Sequence, residues 1–331
     1  MKLYFLGLDA FAANIIFDPQ HAGRWPHIEE LWQTSLYGPS ECEPDHAFTG
    51  PSWTSIYTGQ PAAVHGVTDL WGRPINGART FQTVREPFIW DILNQEGLTC
   101  GLVTMPITFP AHPIDGFMIA GFPSPRLSVA GNVQVPADFI VDHSEEIRKT
   151  KPIPGLGYSW HDEVALEQDL ELLKASELKK AELVPDLIRQ HPVDCLFVQY
   201  SCLDRVGHEL NNYARRGLGY DPRHVLEMYD WFDSVLLPRV LRIEADAMVI
   251  ISDHGWQNQE GHGQHEPQGV FMARGDDIPQ GLRIDCRNID VLPTVLDLLG
   301  LPLPRVAGHS VLIRQSDLDQ VNQQLAGLGY I

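Results

Sequence analysis

The chain has 331 residues, of which 44% are hydrophobic and 20% are charged, a composition that is ordinary for a globular protein with a sizeable core. Its formal net charge of −19 leaves no basic footprint of the kind that drives nucleic-acid binding. Five cysteines, none in C-x-x-C spacing, indicate neither a disulfide framework nor a cysteine-based zinc site.

Short apolar runs alternate with longer helical patterns along the chain. Buried strands are predicted at 3–8, 99–104, 193–200 and 247–252. Helices are predicted at 25–33, 51–58, 86–96, 163–190, 222–243 and 289–299. The alternation is typical of an α/β fold with a mostly parallel central sheet and helices on both faces.

The pattern changes between residues 105 and 160, where prolines and glycines interrupt any periodicity. We expect a single domain over 1–331, with 105–160 as a small insertion or cap inside it. Such a segment either shapes substrate choice or serves only as a structural connection.

The first ten residues carry one lysine and a short apolar run that stops at Asp9, too short for the core of a signal peptide. No apolar run is long enough to cross a bilayer, because charges, glycines or prolines interrupt every candidate. We therefore expect a cytoplasmic protein that binds neither membranes nor nucleic acids. Its oligomeric state stays open.

Polar residues follow three of the predicted strands at their carboxyl ends, where open α/β sheets bind ligands. Asp9 ends the first strand, Asp204 and His208 follow the third, and Asp253 and His254 end the fourth. One Asp at a strand end is typically a turn former or a helix cap, but the coincidence of three clusters indicates a shared site.

The spacing of Asp204 and His208, four residues apart, would place both side chains on one face of a helical turn, as a shared metal ion requires. Gly207 beside them would permit a tight bend. A later Gly-rich loop at 261–267 contributes His265 as a further candidate ligand.

Three carboxylates and three imidazoles without a thiolate favour zinc, and the same ligand types also suit manganese or iron. Two divalent ions beside three carboxylates leave a local charge of about +1, which would attract a phosphoryl group to this acidic protein. The predicted ligands are Asp9, Asp204, His208, Asp253, His254 and His265.

A candidate nucleophile lies in the sequence Thr49-Gly50-Pro51-Ser52. Pro51 is suited to the first turn of a helix, so Thr49 and Gly50 would lie at its amino end, where free N–H groups bind anions. Coordination to a divalent ion would activate the Thr49 hydroxyl without a separate general base. The alternative is that Thr49 only caps the helix.

The order and spacing of these motifs resemble the alkaline phosphatase superfamily, and most closely its type I phosphodiesterase and nucleotide pyrophosphatase branch. The resemblance extends over nearly the whole chain and implies an alkaline phosphatase-like core with two zinc ions. It also implies in-line transfer to Thr49 through a phosphothreonine intermediate. One ion would be bound by Asp204, His208 and His265, and the other by Asp9, Asp253, His254 and the Thr49 oxygen.

One position departs from the pattern of the nucleotide pyrophosphatases. Those enzymes carry an asparagine three residues after the nucleophile, where it helps to bind a phosphoryl oxygen, and this chain has Ser52. We expect Gly50 and Ser52 to contact the phosphate, and the shorter serine side chain leaves the substrate class open. The sulfatase motif C/S-x-P-x-R is absent at this position, which disfavours sulfate ester hydrolysis.

The predicted function is cleavage of phosphodiester or pyrophosphate bonds in small-molecule phosphate esters, which include nucleotide-like substrates. Alternatives on the same metals are a phosphomonoesterase, a phosphonate hydrolase or a phosphomutase. A monoester enzyme needs additional cations, for which the candidates are Arg73, Arg205 and Arg274. A non-catalytic metal- or phosphate-binding protein is disfavoured, because all six ligands are present. Aromatic residues that would either stack on a leaving group or pack in the core are Trp53, Trp71 and Trp90.

Overall fold

The structure is a computed structural model that describes residues 1–68, 84, 86–121, 134–135 and 165–327. Most of the predicted insertion, at 122–133 and 136–160, lies outside these described residues, and so do Trp71 and Arg73.

A nine-stranded sheet forms the centre of the described part of the chain. Its strands are β1 (Leu3–Leu8), β2 (Leu36–Glu41), β3 (Cys100–Val103), β4 (Gly116–Ile119), β5 (Gln134–Val135), β6 (Cys195–Tyr200), β7 (Ala247–Ile251), β10 (Gln268–Arg274) and β11 (Cys286–Arg287). Two further strands, β8 (Gly255–Gln259) and β9 (His262–Glu266), pair only with each other. The strand order of the large sheet is β11-β2-β10-β7-β1-β6-β3-β4-β5.

The middle of the large sheet is parallel. Strand β1 pairs in parallel with β6 on one side and β7 on the other, and β3 continues the parallel arrangement next to β6. Antiparallel pairing is found where β10 joins β7 and β2, and where β5 joins β4. The predicted mostly parallel sheet is confirmed, and the carboxyl ends of β1, β6 and β7 meet at one edge.

Helices flank this sheet. The α-helices are α1 (Ala13–Ile16), α2 (Pro26–Gln33), α3 (Thr49–Thr58), α4 (Ala62–His65), α5 (Ile89–Gln95), α6 (Ala165–Gln190), α7 (Cys202–Arg215), α8 (Arg223–Trp231), α9 (Leu237–Val240), α10 (Val291–Leu298) and α11 (Gln315–Gly327). A π-helical turn, Phe232–Leu236, joins α8 to α9. The single helix predicted at 222–243 is therefore three consecutive segments.

Two hydrophobic cores cover the two faces of the sheet. All six residues of β1 are buried, and alternate residues enter different cores because successive side chains of a strand point to opposite faces. Leu3 and Phe5 pack in the core that includes residues of α3, α5 and α10. Tyr4 and Leu6 pack in the core that includes residues of α6, α7 and α8. This double burial explains why the central strands are continuous apolar runs in the sequence.

Among the described residues, no helix combines the length and the hydrophobicity that a membrane span requires.

Candidate active site

Six predicted ligands gather at the carboxyl edge of the central strands. Asp9 directly follows β1, and Asp253 and His254 follow β7 after one intervening residue, Ser252. Asp204 and His208 lie on α7, which begins two residues after β6, and His265 lies on β9. They form two groups, each with ligand atoms within 4.8 Å of one another. The first group is Asp204, His208 and His265, and the second is Asp9, Asp253 and His254.

The first group joins helix α7 to strand β9. Oδ1 of Asp204 lies 3.2 Å from Nε2 of His208 and 3.3 Å from Nε2 of His265. The two imidazole Nε2 atoms are 3.1 Å apart. The ring of His265 is oriented from its other side, because its Nδ1–H donates to the carbonyl of Ala47 at 2.9 Å. Two imidazole Nε2 atoms and one carboxylate oxygen therefore converge on one point.

The second group is deeply buried. Nε2 of His254 lies 3.4 Å from Oδ1 of Asp9 and 3.3 Å from Oδ2 of Asp253. Nδ1–H of His254 donates to the carbonyl of Gly255 at 3.1 Å, which turns Nε2 towards the two carboxylates. Asp253 and His254 are both 0% exposed.

The two groups adjoin each other through their histidines. The rings of His254 and His265 stack with centroids 4.0 Å apart and an interplanar angle of 22°. One continuous site therefore contains both candidate metal positions.

The donor atoms of this site fit divalent ions, because several of them are buried without a hydrogen-bond partner. In the described part of the chain these atoms are Oδ1 of Asp9, Oδ1 of Asp204, both carboxylate oxygens of Asp253 and Nε2 of His254. A buried polar atom without a partner costs free energy, and a buried charge costs more. Coordination by metal ions would remove that cost, and mixed oxygen and nitrogen donors suit zinc, manganese or iron.

The pKa values of these groups are shifted first by burial and then by repulsion among the bare carboxylates. Burial, together with the negative charge of Asp204, raises the pKa of Asp9 to about 7. Burial, together with the charges of Asp9 and Asp204, raises the pKa of Asp253 well above its usual range. Burial also lowers the pKa of His254 to about 3, so this imidazole stays neutral and keeps a lone pair for a ligand.

Asp204 behaves in the opposite way. Burial alone would raise its pKa, but the neighbouring imidazoles of His208 and His265 outweigh burial and hold it well below the usual range. The first group is thus an ionised carboxylate between two imidazoles, whereas the second group contains carboxylates that resist ionisation without a cation.

Thr49 is the first residue of helix α3, and Phe48 occupies the N-cap position without a side-chain cap hydrogen bond. Within the described residues, the Thr49 hydroxyl forms no hydrogen bond, so the capping alternative has no support. Ala47, two residues earlier, accepts the hydrogen bond from His265, which ties the start of α3 to the first group. Further along α3, burial raises the pKa of Tyr57 and the charges of Asp253 and Asp9 add to this effect, so the helix also lies close to the second group.

The two residues predicted to bind substrate lie in the first turn of α3. Gly50 follows Thr49, and its carbonyl accepts a hydrogen bond from the side-chain hydroxyl of Thr54 at 2.7 Å. The Ser52 hydroxyl donates to the carbonyl of His46 at 3.0 Å and is 2% exposed. The Ser52 hydroxyl therefore donates inside the protein. The backbone N–H groups of Thr49 and Gly50 have no partner among the described residues, so they are the donors that this turn offers.

Two predictions about local structure are wrong. Gly207 lies inside the continuous helix α7 and forms no tight bend. A Cβ atom at this position would lie 2.2 Å from the ring of Trp256, so the glycine is required by close packing. The predicted loop at 261–267 is instead mostly strand β9, which forms a hairpin with β8.

Sequence reasoning missed the residues that hold the ligands in place. Gln199 of β6 donates from Nε2 to Oδ2 of Asp9 at 3.1 Å, which leaves Oδ1 facing His254. Glu177 of α6 accepts from the backbone N–H and the hydroxyl of Ser201 at 2.8 and 3.1 Å, and thereby fixes the residue that precedes α7. The available signal was the polar Gln199 within the apolar run of β6, since buried polar groups are normally hydrogen-bonded. Glu177 gave no such signal, because α6 contains many charged residues.

The other candidates have different surroundings. Arg205 follows Asp204 on α7, and its positive charge lowers the pKa of Asp9, although burial and Asp204 outweigh this effect. Arg274 pairs with Met248 at the amino end of β7, away from Asp253, and lines a separate groove of about 720 Å³. Trp53 and Trp90 are both 0% exposed and pack in the core, so neither forms a stacking surface for a leaving group.

Comparison with known proteins associates this geometry with phosphate ester chemistry. The sequence model of the type I phosphodiesterase / nucleotide pyrophosphatase family matches residues 3–274. A search of curated proteins gave no match to the chain.

Solved structures with a similar fold cover almost the whole chain. Murine ectonucleotide pyrophosphatase/phosphodiesterase 5, an inactive variant in complex with AMP, is 12% identical, with a TM-score of 0.59 and coverage of 93% of this chain and 97% of its own. The human counterpart is 12% identical, with a TM-score of 0.57 and the same coverage. A phosphonate monoester hydrolase from Silicibacter pomeroyi is 14% identical, with a TM-score of 0.53 and coverage of 94% and 75%.

Proposed function

The chain belongs to the type I phosphodiesterase / nucleotide pyrophosphatase family and is a phosphoester hydrolase, and from this premise we propose that it uses two metal ions and Thr49. In this proposal Asp204, His208 and His265 bind one ion. The other is bound by Asp9, Asp253, His254 and the Thr49 oxygen. The supporting observation is the convergence of two adjoining ligand groups whose buried donor atoms have no hydrogen-bond partner in the described residues.

The reaction would begin at the amino end of α3. Bound divalent ions would lower the pKa of a coordinated hydroxyl and neutralise charge on the phosphoryl group. Thr49 Oγ forms a bond to phosphorus while the bond to the leaving oxygen breaks on the opposite side. The N–H groups of Thr49 and Gly50 bind a phosphoryl oxygen. Water then attacks the phosphothreonine, releases phosphate or a phosphate ester, and regenerates the Thr49 hydroxyl.

The ring orientations support this assignment. His254 and His265 each donate from Nδ1 to a backbone carbonyl, which leaves both Nε2 atoms as acceptors towards the ligand groups. Such second contacts set the tautomer and direction of a metal-binding histidine. We propose zinc as the metal, and manganese and iron as the alternatives to compare.

The proposed substrates are small-molecule phosphodiesters or pyrophosphates, including nucleotide-like compounds. The structurally similar murine protein is bound to AMP, which supports a nucleotide-like substrate here. The formal net charge of −19 favours small molecules over polymeric nucleic acid as substrates.

Replacement of the nucleophile tests the mechanism. We expect Thr49→Ala to lower turnover of a bis-aryl phosphate diester at least about 10³-fold, because it removes the hydroxyl that forms the intermediate. Zinc content, measured by elemental analysis, should remain close to that of the unmodified protein. Thr49→Ser keeps a hydroxyl and should retain part of the activity.

Two results would decide against the proposal. One is full activity of Thr49→Ala. The other is the absence of a labelled phosphoenzyme when the unmodified protein is quenched during turnover of a phosphorus-labelled substrate.

A second candidate function is hydrolysis of phosphonate or phosphate monoesters. The similarity to a phosphonate monoester hydrolase favours it, as does the positive charge of Arg205 near Asp9. Values of kcat/KM for a diester, a monoester and a phosphonate with the same aryl leaving group separate the two candidates. A preference for the diester supports the first, and a preference for either of the others supports the second.

A further inference from the structure

The third candidate ligand of the first group lies on a hairpin that has little stability of its own. His265 lies on β9, which pairs only with β8 in a two-stranded sheet outside the large sheet. An isolated two-stranded hairpin is marginally stable in water. The position of His265 must therefore be set by contacts between this hairpin and the rest of the protein.

The side-chain amide of Asn211, on helix α7, forms two hydrogen bonds with the backbone of β9, one through each of its polar atoms. Nδ2 of Asn211 donates to the carbonyl of Gly263 at 2.8 Å, and the N–H of Gly263 donates to Oδ1 of Asn211 at 2.8 Å. Asn211 is 9% exposed, so water competes little for these hydrogen bonds. The amide of Asn211 thus pairs with Gly263 in the way that a neighbouring strand would.

The spacing connects this contact to the ligands. Asn211 is three residues after His208, so both side chains lie on one face of α7. Gly263 is two residues before His265, so both face the same side of β9. One helix face therefore carries two ligands and also holds the strand that supplies the third.

We propose that Asn211 is a positioning residue that sets the metal affinity of the Asp204–His208–His265 group by holding β9 against α7. The proposal deepens the proposed function and rests on the metal role of that group. Loss of a contact that orients a ligand typically weakens metal binding 10- to 100-fold, so we expect about a 10-fold loss for Asn211→Ala.

A matched control is Asn94 of α5, which binds the residue just before β4, at the amino end of that strand. Asn94 makes the same pair of bonds with the backbone of Asp115, at 2.7 Å from the N–H and 3.0 Å to the carbonyl. Asn94→Ala removes this equivalent backbone contact, together with a bond from Nδ2 to the carbonyl of Leu98 at 2.8 Å, without touching the site. Asn211→Asp keeps the acceptor for the Gly263 N–H but loses the donor to its carbonyl, so it should behave like Asn211→Ala.

Two measurements test the proposal. Hydrogen exchange of the amides of 263–266 in the metal-free protein should become at least about 10-fold faster in Asn211→Ala, because local opening costs less free energy. Zn²⁺ titration against a chelator should show one of two ions bound about 10-fold more weakly. Asn94→Ala should change neither result.

The outcomes separate this proposal from the proposed function. Unchanged hydrogen exchange in Asn211→Ala would show that Asn211 does not hold β9 against α7. Faster exchange with unchanged Zn²⁺ affinity would show that Asn211 has no role in metal binding. If the unmodified protein binds no Zn²⁺, the metal assignment fails, while the exchange measurement still decides whether Asn211 holds the hairpin.

Discussion

Two histidines of the same strand have different environments. His262 is exposed at the tip of the hairpin, and its Nδ1 lies 3.3 Å from the carbonyl of Glu260. His265 is three residues further on, so it points to the opposite face of β9, towards Asp204 and His208. Both residues are histidines beside glycine-rich sequence, and only their position in the strand separates the candidate ligand His265 from the surface residue His262.

This difference gives a prediction at the residue scale. His265→Ala should lower the bound zinc from two ions to one and reduce phosphodiester hydrolysis at least about 100-fold, the upper end of losses seen when metal sites are disturbed. His262→Ala, three residues away, should leave zinc content and activity unchanged. Equal effects of the two substitutions, measured by elemental analysis and initial rates, would contradict the assignment of His265.

At the scale of elements, the packing of Trp256 joins the hairpin to α7. A Cβ atom would lie 2.2 Å from the Trp256 ring at Gly207 and 2.6 Å from it at Gly263. The ring thus occupies the space that two absent side chains leave open. Neither glycine is required by a positive φ angle, since Gly207 is helical and Gly263 is in a strand. Sequence patterns suggested a bend and a loop because glycine more often has those roles.

Substitution of Gly207 tests this packing. In a helix interior, alanine is favoured over glycine by up to about 1 kcal/mol, whereas overpacking costs about 1–3 kcal/mol. We expect overpacking to win, so Gly207→Ala should lower the free energy of unfolding, measured with urea. In a Trp256→Leu background the smaller side chain leaves room, and the same substitution should become neutral or stabilising. A stabilising Gly207→Ala in the unmodified background would show that the ring moves freely.

At the scale of the whole molecule, the site gathers several buried ionisable side chains at the edge of the central sheet. In the metal-free protein Asp9 has a pKa of about 7 and Asp253 has a pKa well above its usual range, both chiefly through burial. An acid with a raised pKa stabilises the fold while it is protonated and loses that contribution as pH rises through the folded-state value. The neutral His254 has a lowered pKa and opposes this trend only below its unfolded value of 6.5.

Above pH 6.5 His254 no longer opposes this trend, and His265 adds to it, because burial lowers its pKa but Asp204 outweighs burial and raises the pKa above its usual value. We expect the Tm of the chelator-treated protein to fall between pH 6.5 and about 8, and added Zn²⁺ to reverse the fall, because a ligand that binds the folded state stabilises it. Asp253→Asn removes a titrating carboxyl and should make the metal-free Tm less dependent on pH. A metal-free Tm that rises across this window would contradict the buried carboxylate pair.

The central strands β1, β3, β6 and β7 were predicted to within two residues, because burial on both faces makes each a continuous apolar run. The mostly parallel α/β architecture follows from the same local pattern. Strand β9 was not predictable in this way, since His262–Glu266 contains no apolar alternation. Strand β9 forms because β8 pairs with it and because Asn211 of α7 forms hydrogen bonds with its backbone.

The types and order of the site residues were determined by the sequence itself, and the resemblance they carry implied the same two groups of Asp and His that the structure brings together. Only the tertiary structure decided how those side chains are held. The bond from Gln199 to Asp9 spans 190 residues and the bonds from Asn211 to Gly263 span 52. Local periodicity reports burial of a segment, whereas the partner of a buried amide depends on which distant backbone the fold places beside it.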